Sequence, residues 1–137
     1  MEKAVEFSAE NVAVVGFDRE IIDLLQACGH GYAGYVEKEH ISEQQYLGND
    51  EEALKLDLKF AFGMHLPAVR KKLWNIYQGR LLTLVSPHAI VSAGAEIYEG
   101  TAIQHFCLVM PGVFIGRGCQ VNARASIHHD SRIGDFT

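Results

Sequence analysis

Short apolar runs alternate with helical patterns in the first half of the chain. The run Val12–Val15 has the character of a buried β-strand, and two more strands are predicted at Tyr32–Val36 and Leu58–Phe62. Between the first two strands, Asp18–Cys28 carries apolar residues at helical spacing, which predicts an amphipathic helix. This alternation of strands and helices predicts a parallel sheet with crossover connections, a small Rossmann-like α/β unit.

Residues that are common at the ends of helices predict the helix boundaries. Asp18 is the expected N-cap of the first helix, and Gly29 is its expected C′ residue. A short helix is expected at Asn49–Leu54, and Pro67 suits the first turn of a helix that runs to Tyr77. The residues expected on the buried face of that last helix are Val69, Leu73, Ile76 and Tyr77.

The same helix carries three consecutive cations, Arg70–Lys72. We expect them to form a solvated face, which is the usual place for a run of charge. Trp74 and Tyr77 lie four and seven residues after Arg70, and we expect them to pack in the core or at the joint with the second half.

The second half has a different period, and it is the strongest pattern in the sequence. Every sixth residue is valine or isoleucine, and the residue two positions earlier is small or medium-sized. A period of six fits neither a helix nor a simple alternating strand. It predicts a parallel β-helix in which three hexads form one coil and each inward side chain stacks on the one a full coil later. The predicted inward positions are Val91, Ile97, Ile103, Val109, Ile115, Val121, Ile127 and Ile133.

These two patterns divide the chain into residues 1–84, an α/β unit, and residues 85–137, a β-helix. The sequence stops at Thr137 inside a hexad. Because solenoids need about three or more repeats and a polar cap, we expect the β-helix to be incomplete within this sequence, as a fragment or with its open end covered by a partner.

Composition narrows the classes of partner. Twelve basic and 17 acidic residues give the 137-residue chain a net charge of −5, so neither nucleic acid nor an anionic membrane is expected to bind. No apolar run approaches the ~20 residues of a membrane span, and Met1–Glu6 lacks the pattern of a secretion signal. Three cysteines without metal-ligand spacing fit reduced thiols in the cytoplasm, with Cys107 and Cys119 packed in the coils.

The chain resembles the hexapeptide-repeat sugar acetyltransferases of the sialic acid O-acetyltransferase and bacillosamine N-acetyltransferase type. The resemblance extends over nearly the whole chain and is most specific at Val121–Asp130. It implies a trimer of left-handed β-helices with active sites between neighbouring subunits. It also implies acetyl-CoA as donor and an amino or hydroxyl group of a sugar or nucleotide-linked sugar as acceptor. The other matching stretches are Gly34–Glu37, Leu47–Asp50, Phe60–Gly63, Arg70–Leu73 and Ser86–Ala89.

The resemblance assigns catalytic roles within this stretch. His129 takes the part of the general base, Asp130 orients it, and Asn122 lies beside it in the site. A neutral imidazole can accept the proton that a sugar ammonium must lose before it attacks a thioester. His128 is expected to point outward and has no role.

The candidate acceptor-binding residues lie at the ends of the predicted strands, where such sheets bind ligands. They are Gly16, Glu37, Gly63 and His65, although His65 also fits a plain surface loop. Three features depart from the family. The coils downstream of the catalytic histidine, which form much of the family's acetyl-CoA groove, are not part of this sequence. Gly16 is followed directly by Phe17, where the family usually has a Gly-x-Gly-Gly loop, and Glu37 replaces the family's usual aspartate.

Two alternatives remain at this point. One is a hexapeptide carbonic anhydrase with zinc shared between subunits, because His105 and His129 hold equivalent positions in their hexads and His128 or His88 could supply a third ligand. The preferred interpretation, by contrast, expects no metal. The other alternative is a non-catalytic trimeric scaffold or ligand-binding remnant of the acetyltransferase family, which would not bind acetyl-CoA.

Overall fold

The computed structural model describes residues 9–42 and 44–137. The N-terminal stretch Met1–Glu6, for which no secretion signal is predicted, lies outside these residues. The predicted elements of the first half are present, and their ends differ from the prediction by no more than one residue. They are β1 (Asn11–Val15), α1 (Arg19–Ala27), β2 (Gly31–Val36), α2 (Asp50–Leu54), β3 (Lys59–Phe62) and α3 (Pro67–Tyr77).

The three strands form a parallel sheet in the order β2-β1-β3, as predicted. Successive side chains of β1 enter two different cores. Val14 packs with Ile21 of α1 and with Leu84 from the second half of the chain. Val15 packs with Trp74 and other residues of the α2 and α3 layer. Both faces of the sheet are therefore covered, which explains why its strands are apolar throughout.

The ends of α1 lie where the sequence predicts them. Asp18 Oδ1 accepts the backbone N–H of Ile21 at 2.9 Å, which satisfies one of the free amides of the first turn. Gly29 has a φ of +88°, the left-handed conformation that commonly ends a helix.

The buried face of α3 differs from the prediction. Arg70, Trp74 and Tyr77 are buried, whereas Ile76 is 44% exposed. The prediction that Arg70 lies on a solvated face is wrong. Its guanidinium is buried and donates hydrogen bonds where the two halves of the chain meet. Lys71–Lys72 are exposed, as expected.

The second half is a parallel β-helix of two-residue strands. These strands form three parallel sheets, with the orders β4-β7-β10, β5-β8-β11 and β6-β9-β12. Their bounds are β4 (Leu84–Val85), β5 (Ile90–Val91), β6 (Glu96–Ile97), β7 (Ala102–Ile103), β8 (Leu108–Val109), β9 (Phe114–Ile115), β10 (Gln120–Val121), β11 (Ser126–Ile127) and β12 (Arg132–Ile133).

The inward residues stack one coil apart, as predicted. Ile103 pairs with Val85 on one side and with Val121 on the other, so Val85 extends the predicted series by one position. Cys107 and Cys119 are free thiols buried among these aliphatic side chains. The hexad pattern therefore identified the core of this half correctly.

The predicted fold class, a small Rossmann-like α/β unit followed by a parallel β-helix, is confirmed. The boundary between residues 1–84 and 85–137 stays a prediction. It falls inside β4, where Leu84 packs in the core of the α/β unit and Val85 against that of the β-helix. Across the described ranges, no helix combines the length and the apolar character needed to cross a bilayer.

Candidate functional site

The predicted base lies at an exposed turn of the β-helix. His129 follows β11, and its Nδ1 lies 2.9 Å from Asp130 Oδ2. Asp130 has a φ of +63°, and its backbone N–H donates to the carbonyl of Pro111 at 3.0 Å, which joins this turn to the coil before it. The side chains of His129 and Asp130 are 68% and 79% exposed, so the imidazole is accessible.

This pair has the geometry for proton transfer at the outer ring nitrogen. In the tautomer with the proton on Nδ1, the His129 N–H donates a hydrogen bond to the Asp130 carboxylate, and the Nε2 lone pair is free to accept a proton.

Asn122 lies at the preceding turn of the β-helix, after β10. Its backbone carbonyl accepts the N–H of Ala125 at 3.2 Å, which closes that turn. In the part of the chain that the structure describes, no hydrogen bond joins Asn122 to His129. Asn122 instead lines a narrow crevice with Asp18 and His65. Within one chain, the predicted catalytic residues therefore lie at two separate turns.

His65 closes the N-terminal end of α1. Its Nε2 lies 2.7 Å from Asp18 Oδ2, and its side chain is 68% exposed whereas that of Asp18 is only 9% exposed. Because the other oxygen of Asp18 caps Ile21, this buried carboxylate is held from two sides. His65 is thus not isolated on a loop, and it lies in the same crevice as Asn122.

A cleft of about 380 Å³ opens at the carboxyl end of the parallel sheet. Gly16 and Glu37, two of the predicted acceptor-binding residues, line it. Glu37 Oε2 accepts the backbone N–H of Phe17 at 2.8 Å, so one carboxylate oxygen is engaged by the loop after β1. Gly63 lies beside Gly16, and its N–H donates to the carbonyl of Val15 at 2.8 Å.

The cleft combines an apolar floor with a charged rim. Val36, Met64, Val69 and Leu73 supply the apolar side chains, and Lys38, Glu39 and Asp50 add charge. Such a mixture is typical of small-molecule sites.

The carboxylate of Asp50, at the rim of the cleft, is held in position by a hydrogen bond. The Tyr77 hydroxyl donates a hydrogen bond to Asp50 Oδ1. Burial is the main cause that raises the pKa of Tyr77, and the hydrogen bond to Asp50 raises it further. The hydroxyl therefore stays protonated and holds Asp50 at the wall of the cleft.

Solved structures of acetyltransferases share this architecture. PerB from Caulobacter crescentus, in complex with CoA and GDP-perosamine, matches with a TM-score of 0.85 at 23% identity, over 95% of this chain and 68% of that chain. The chain shares its fold with these solved acetyltransferase structures. The acetyltransferase domain of PglB from Neisseria gonorrhoeae FA1090, in complex with acetyl coenzyme A, matches with a TM-score of 0.84 at 20% identity, over 94% and 69% of the two chains.

A third match is a variant of the GDP-perosamine N-acetyltransferase from Caulobacter crescentus, in which a histidine is replaced by alanine. It was solved in complex with CoA and GDP-perosamine. Its TM-score is 0.85 at 22% identity, over 95% of this chain and 68% of that chain. No protein-family model and no curated protein sequence matches the chain. The predicted resemblance to sugar acetyltransferases is thus confirmed at the level of the fold.

The joint between the two halves is held by a residue that the sequence did not reveal. Arg70 of α3 is 1% exposed, and its Nε donates to the carbonyl of Gly118 at 2.8 Å. Nη1 donates to the carbonyl of His65 at 2.8 Å, and Nη2 to those of Phe136 and Thr137, each at 3.2 Å. Burial lowers the pKa of the Arg70 guanidinium from its ordinary value. One side chain therefore binds the backbone of both halves.

A second unpredicted link resembles a hydrolase triad in composition only. Ser86 Oγ lies 2.6 Å from His105 Nδ1, and His105 Nε2 lies 2.8 Å from Asp23 Oδ2. Ser86 is 2% exposed and also accepts the backbone N–H of His88, so its hydroxyl is not open to a substrate. These hydrogen bonds link α1 to the first two coils of the β-helix.

The same contacts bear on the zinc alternative. Both ring nitrogens of His105 are hydrogen-bonded, and Nδ1 of His129 is held by Asp130. In residues 9–42 and 44–137, no group of three or more histidine, cysteine, aspartate or glutamate side chains is placed to hold a metal ion. A zinc site would therefore require the hydrogen bonds of His105 to be broken.

Proposed function

We propose that the protein is an acetyl-CoA-dependent acetyltransferase that acts on an amino group of a sugar, with His129 as its general base. The observation that carries this proposal is the exposed His129–Asp130 pair on the fold of acetyltransferases crystallised with CoA or acetyl-CoA. An O-acetyltransferase would use the same residues, and the amino group is preferred because the named neighbour acts as an N-acetyltransferase.

The reaction follows from the position of the free nitrogen of His129. The amine attacks the thioester carbonyl of acetyl-CoA, and His129 Nε2 accepts the proton that the amine loses. The carbon–sulfur bond of the tetrahedral intermediate then breaks. The departing CoA thiolate takes the proton from the imidazolium, so the base is regenerated and the products are an amide and free CoA. Asp130 stabilises the imidazolium between these steps.

We further propose that the active site is completed by a second subunit of a homotrimer. Asn122 and His129 lie at separate turns in one chain, and the face of the β5-β8-β11 sheet lies between those turns. That face carries Ile90 and Leu108, which are adjacent in register and 68% and 37% exposed. Burying this apolar pair against a neighbouring chain would bring turns of two subunits together.

The test is a calorimetric titration of the protein with acetyl-CoA, followed by an assay of thiol release with amino sugars. Saturable binding and acceptor-dependent release are expected. His129→Ala should lower kcat by about 10²- to 10⁴-fold because the base is removed. His128→Ala, an exposed neighbour without a role, is the matched control and should retain activity. Light scattering in solution should give the mass of three chains, and Leu108→Glu should lower it.

Two other results would contradict this proposal in different ways. Absence of binding at millimolar acetyl-CoA would reject the transferase and favour the non-catalytic scaffold. Equal activity losses in the two histidine variants would reject His129 as the base while leaving the transferase intact.

A further inference from the structure

The turn that carries His129 and Asp130 lies against Pro111 and Gly112 of the coil before it. Gly112 and Asp130 hold equivalent places, because each is the third residue after an inward residue of the β-helix. Those inward residues, Val109 and Ile127, are paired in register. The backbone N–H of Asp130 donates to the carbonyl of Pro111 at 3.0 Å, which fixes the two turns to each other.

The carboxylate of Asp130 is folded over Gly112. A Cβ atom added at Gly112 would lie 2.2 Å from Asp130 Oδ1 and 3.3 Å from its Cγ. The other oxygen, Oδ2, lies 2.9 Å from His129 Nδ1. One oxygen thus occupies the space that a side chain at position 112 would take, while the other contacts the imidazole. Asp130 holds this position because residue 112 has no side chain.

The backbone conformation alone does not require glycine at position 112. Gly112 has a φ of +74°. At equivalent places of other turns, Phe106, Arg124 and Asp130 have φ values of +61°, +66° and +63°. The β-helix therefore accepts side chains in this left-handed conformation, although they adopt it uncommonly. The close approach of the Asp130 carboxylate is the feature that requires glycine here.

A larger residue at position 112 would displace the carboxylate rather than the coil. The Asp130 side chain is 79% exposed. The Asp130 Cα atom would lie 3.6 Å from an added Cβ, which is an ordinary contact, so only the end of the side chain is in conflict. Rotation of the carboxylate into solvent relieves that conflict and separates Oδ2 from His129 Nδ1.

We propose that Gly112 is a positioning residue for the candidate active site, because its missing side chain lets Asp130 fix the tautomer and the orientation of His129. The proposal rests on the proposed acetyltransferase function with His129 as the base. When Asp130 Oδ2 accepts a hydrogen bond from the Nδ1–H group, Nε2 carries the lone pair that accepts the proton of the acceptor amine. Without that hydrogen bond, the ring is free to turn and to carry its proton on Nε2, where it does not act as a base.

The first test is a double-mutant cycle between Gly112→Ala and Asp130→Ala, measured as thiol release from acetyl-CoA with the amino sugar that the parent protein accepts. In the parent background, Gly112→Ala should lower kcat by about tenfold or more and change the KM for acetyl-CoA by less than about twofold. In the Asp130→Ala background, it should lower kcat by less than about twofold, because the carboxylate that it displaces is already absent. Equal losses in the two backgrounds would overturn the proposal.

The second test needs no substrate. Long-range proton–nitrogen NMR spectra distinguish the two tautomers of a histidine ring, and the His129 signals are assigned by their loss in His129→Ala. At a pH where the imidazole is neutral, His129 should carry its proton on Nδ1 in the parent protein. In both Gly112→Ala and Asp130→Ala, the population should shift towards the Nε2–H form that an unconstrained imidazole prefers. An unchanged tautomer in Gly112→Ala would overturn the proposal.

Gly79→Ala is the matched control for backbone strain. Gly79 has a φ of +83°, and a Cβ atom there would meet nothing within 4 Å. Alanine at this position carries the same left-handed strain as alanine at position 112, so kcat and the His129 tautomer should remain those of the parent protein. A loss of kcat in Gly79→Ala as large as that in Gly112→Ala would assign the effect to strain instead of Asp130.

Failure of this proposal is distinguishable from failure of the transferase. Normal thiol release in Gly112→Ala would sustain the transferase and reject the role of Gly112. Absence of thiol release in the parent protein would reject the transferase, and the His129 tautomer would still show whether Gly112 positions the Asp130 carboxylate.

Discussion

The two halves of the molecule are stabilised in different ways. In the β-helix, the same contact recurs at each coil, so Ile103 is supported by equivalent residues on both sides. In the α/β unit and at the joint, each important contact occurs once, as the bonds of Arg70 illustrate. A repeated core spreads its stability over many equivalent side chains, whereas a unique contact has no substitute. Single substitutions should therefore have larger effects at the joint than in the stack.

The largest effect is expected at Arg70. Arg70→Met keeps much of the aliphatic stem but leaves the carbonyls of Gly118, His65 and Phe136 without their buried donor. Because buried acceptors without partners are costly, the free energy of unfolding should fall by about 3 kcal/mol or more. Urea denaturation followed by circular dichroism measures this.

The neighbouring cation supplies the control for Arg70. Lys71→Met removes an exposed charge from the same turn of α3 and should change the stability by no more than about 0.5 kcal/mol. Equal losses in the two variants would mean that the joint does not depend on the guanidinium, and the contrast between the two halves would lose its clearest example.

A smaller loss is expected where two strand ends meet. Gly63→Ala would place a Cβ atom 2.0 Å from the Gly16 carbonyl oxygen and 2.6 Å from Val14 Cγ1, so the ends of β1 and β3 must separate. The free energy of unfolding should fall by about 1–3 kcal/mol. Gly134→Ala is the matched substitution in the β-helix, where a Cβ would meet nothing within 4 Å. A loss at Gly134 as large as that at Gly63 would contradict this account.

Within the stack, a single methyl group should matter less. Ile115 is fully buried and pairs with inward residues on both sides. Ile115→Val should lower the free energy of unfolding by about 0.5–1.5 kcal/mol, because the surrounding coils can close only part of the space. Ile76→Val, at a 44% exposed position of α3, should change it by less than about 0.5 kcal/mol. Thermal unfolding of both variants measures the difference.

The sequence predicted the repeated half more completely than the joint. Hexads are local, so their period reveals the inward residues directly, and Val85 was missed only because the series was started one hexad late. The partners of Arg70 lie up to 67 residues away, which no local pattern shows. A signal did exist, because Arg70, Trp74 and Tyr77 lie at i, i+4 and i+7 on one face of α3.

The candidate site shows the same division. The His129–Asp130 pair consists of adjacent residues, and the resemblance located it without the structure. The Asp18–His65 pair and the Ser86–His105–Asp23 link join residues from different elements, and only the fold brings them together. The period of six could have shown that Asn122 and His129, seven residues apart, belong to different turns.

The smallest expected effect concerns an exposed ion pair beside the joint. Arg117 Nη2 lies 2.9 Å from Asp135 Oδ2, and the Arg117 guanidinium also lies over the Trp74 ring. Hydrogen bonds from Arg117 hold the pKa of Asp135 below its ordinary value of 3.8. A carboxyl with a lowered pKa stabilises the folded state above that ordinary value, and this contribution disappears as the pH falls through the folded-state pKa.

Asp135→Asn should therefore lower the stability near neutral pH by less than about 1 kcal/mol, since both side chains are substantially exposed. The difference from the parent protein should shrink as the pH falls below about 4 and should also shrink in high salt. Asp57→Asn, at an exposed position with no ion pair recorded within the described residues, is the control. If the difference in stability between Asp135→Asn and the parent protein persists in acid, the effect does not come from the charge of Asp135. It would then come from the hydrogen bond that Asp135 accepts from the Arg117 backbone N–H, which asparagine keeps only in part.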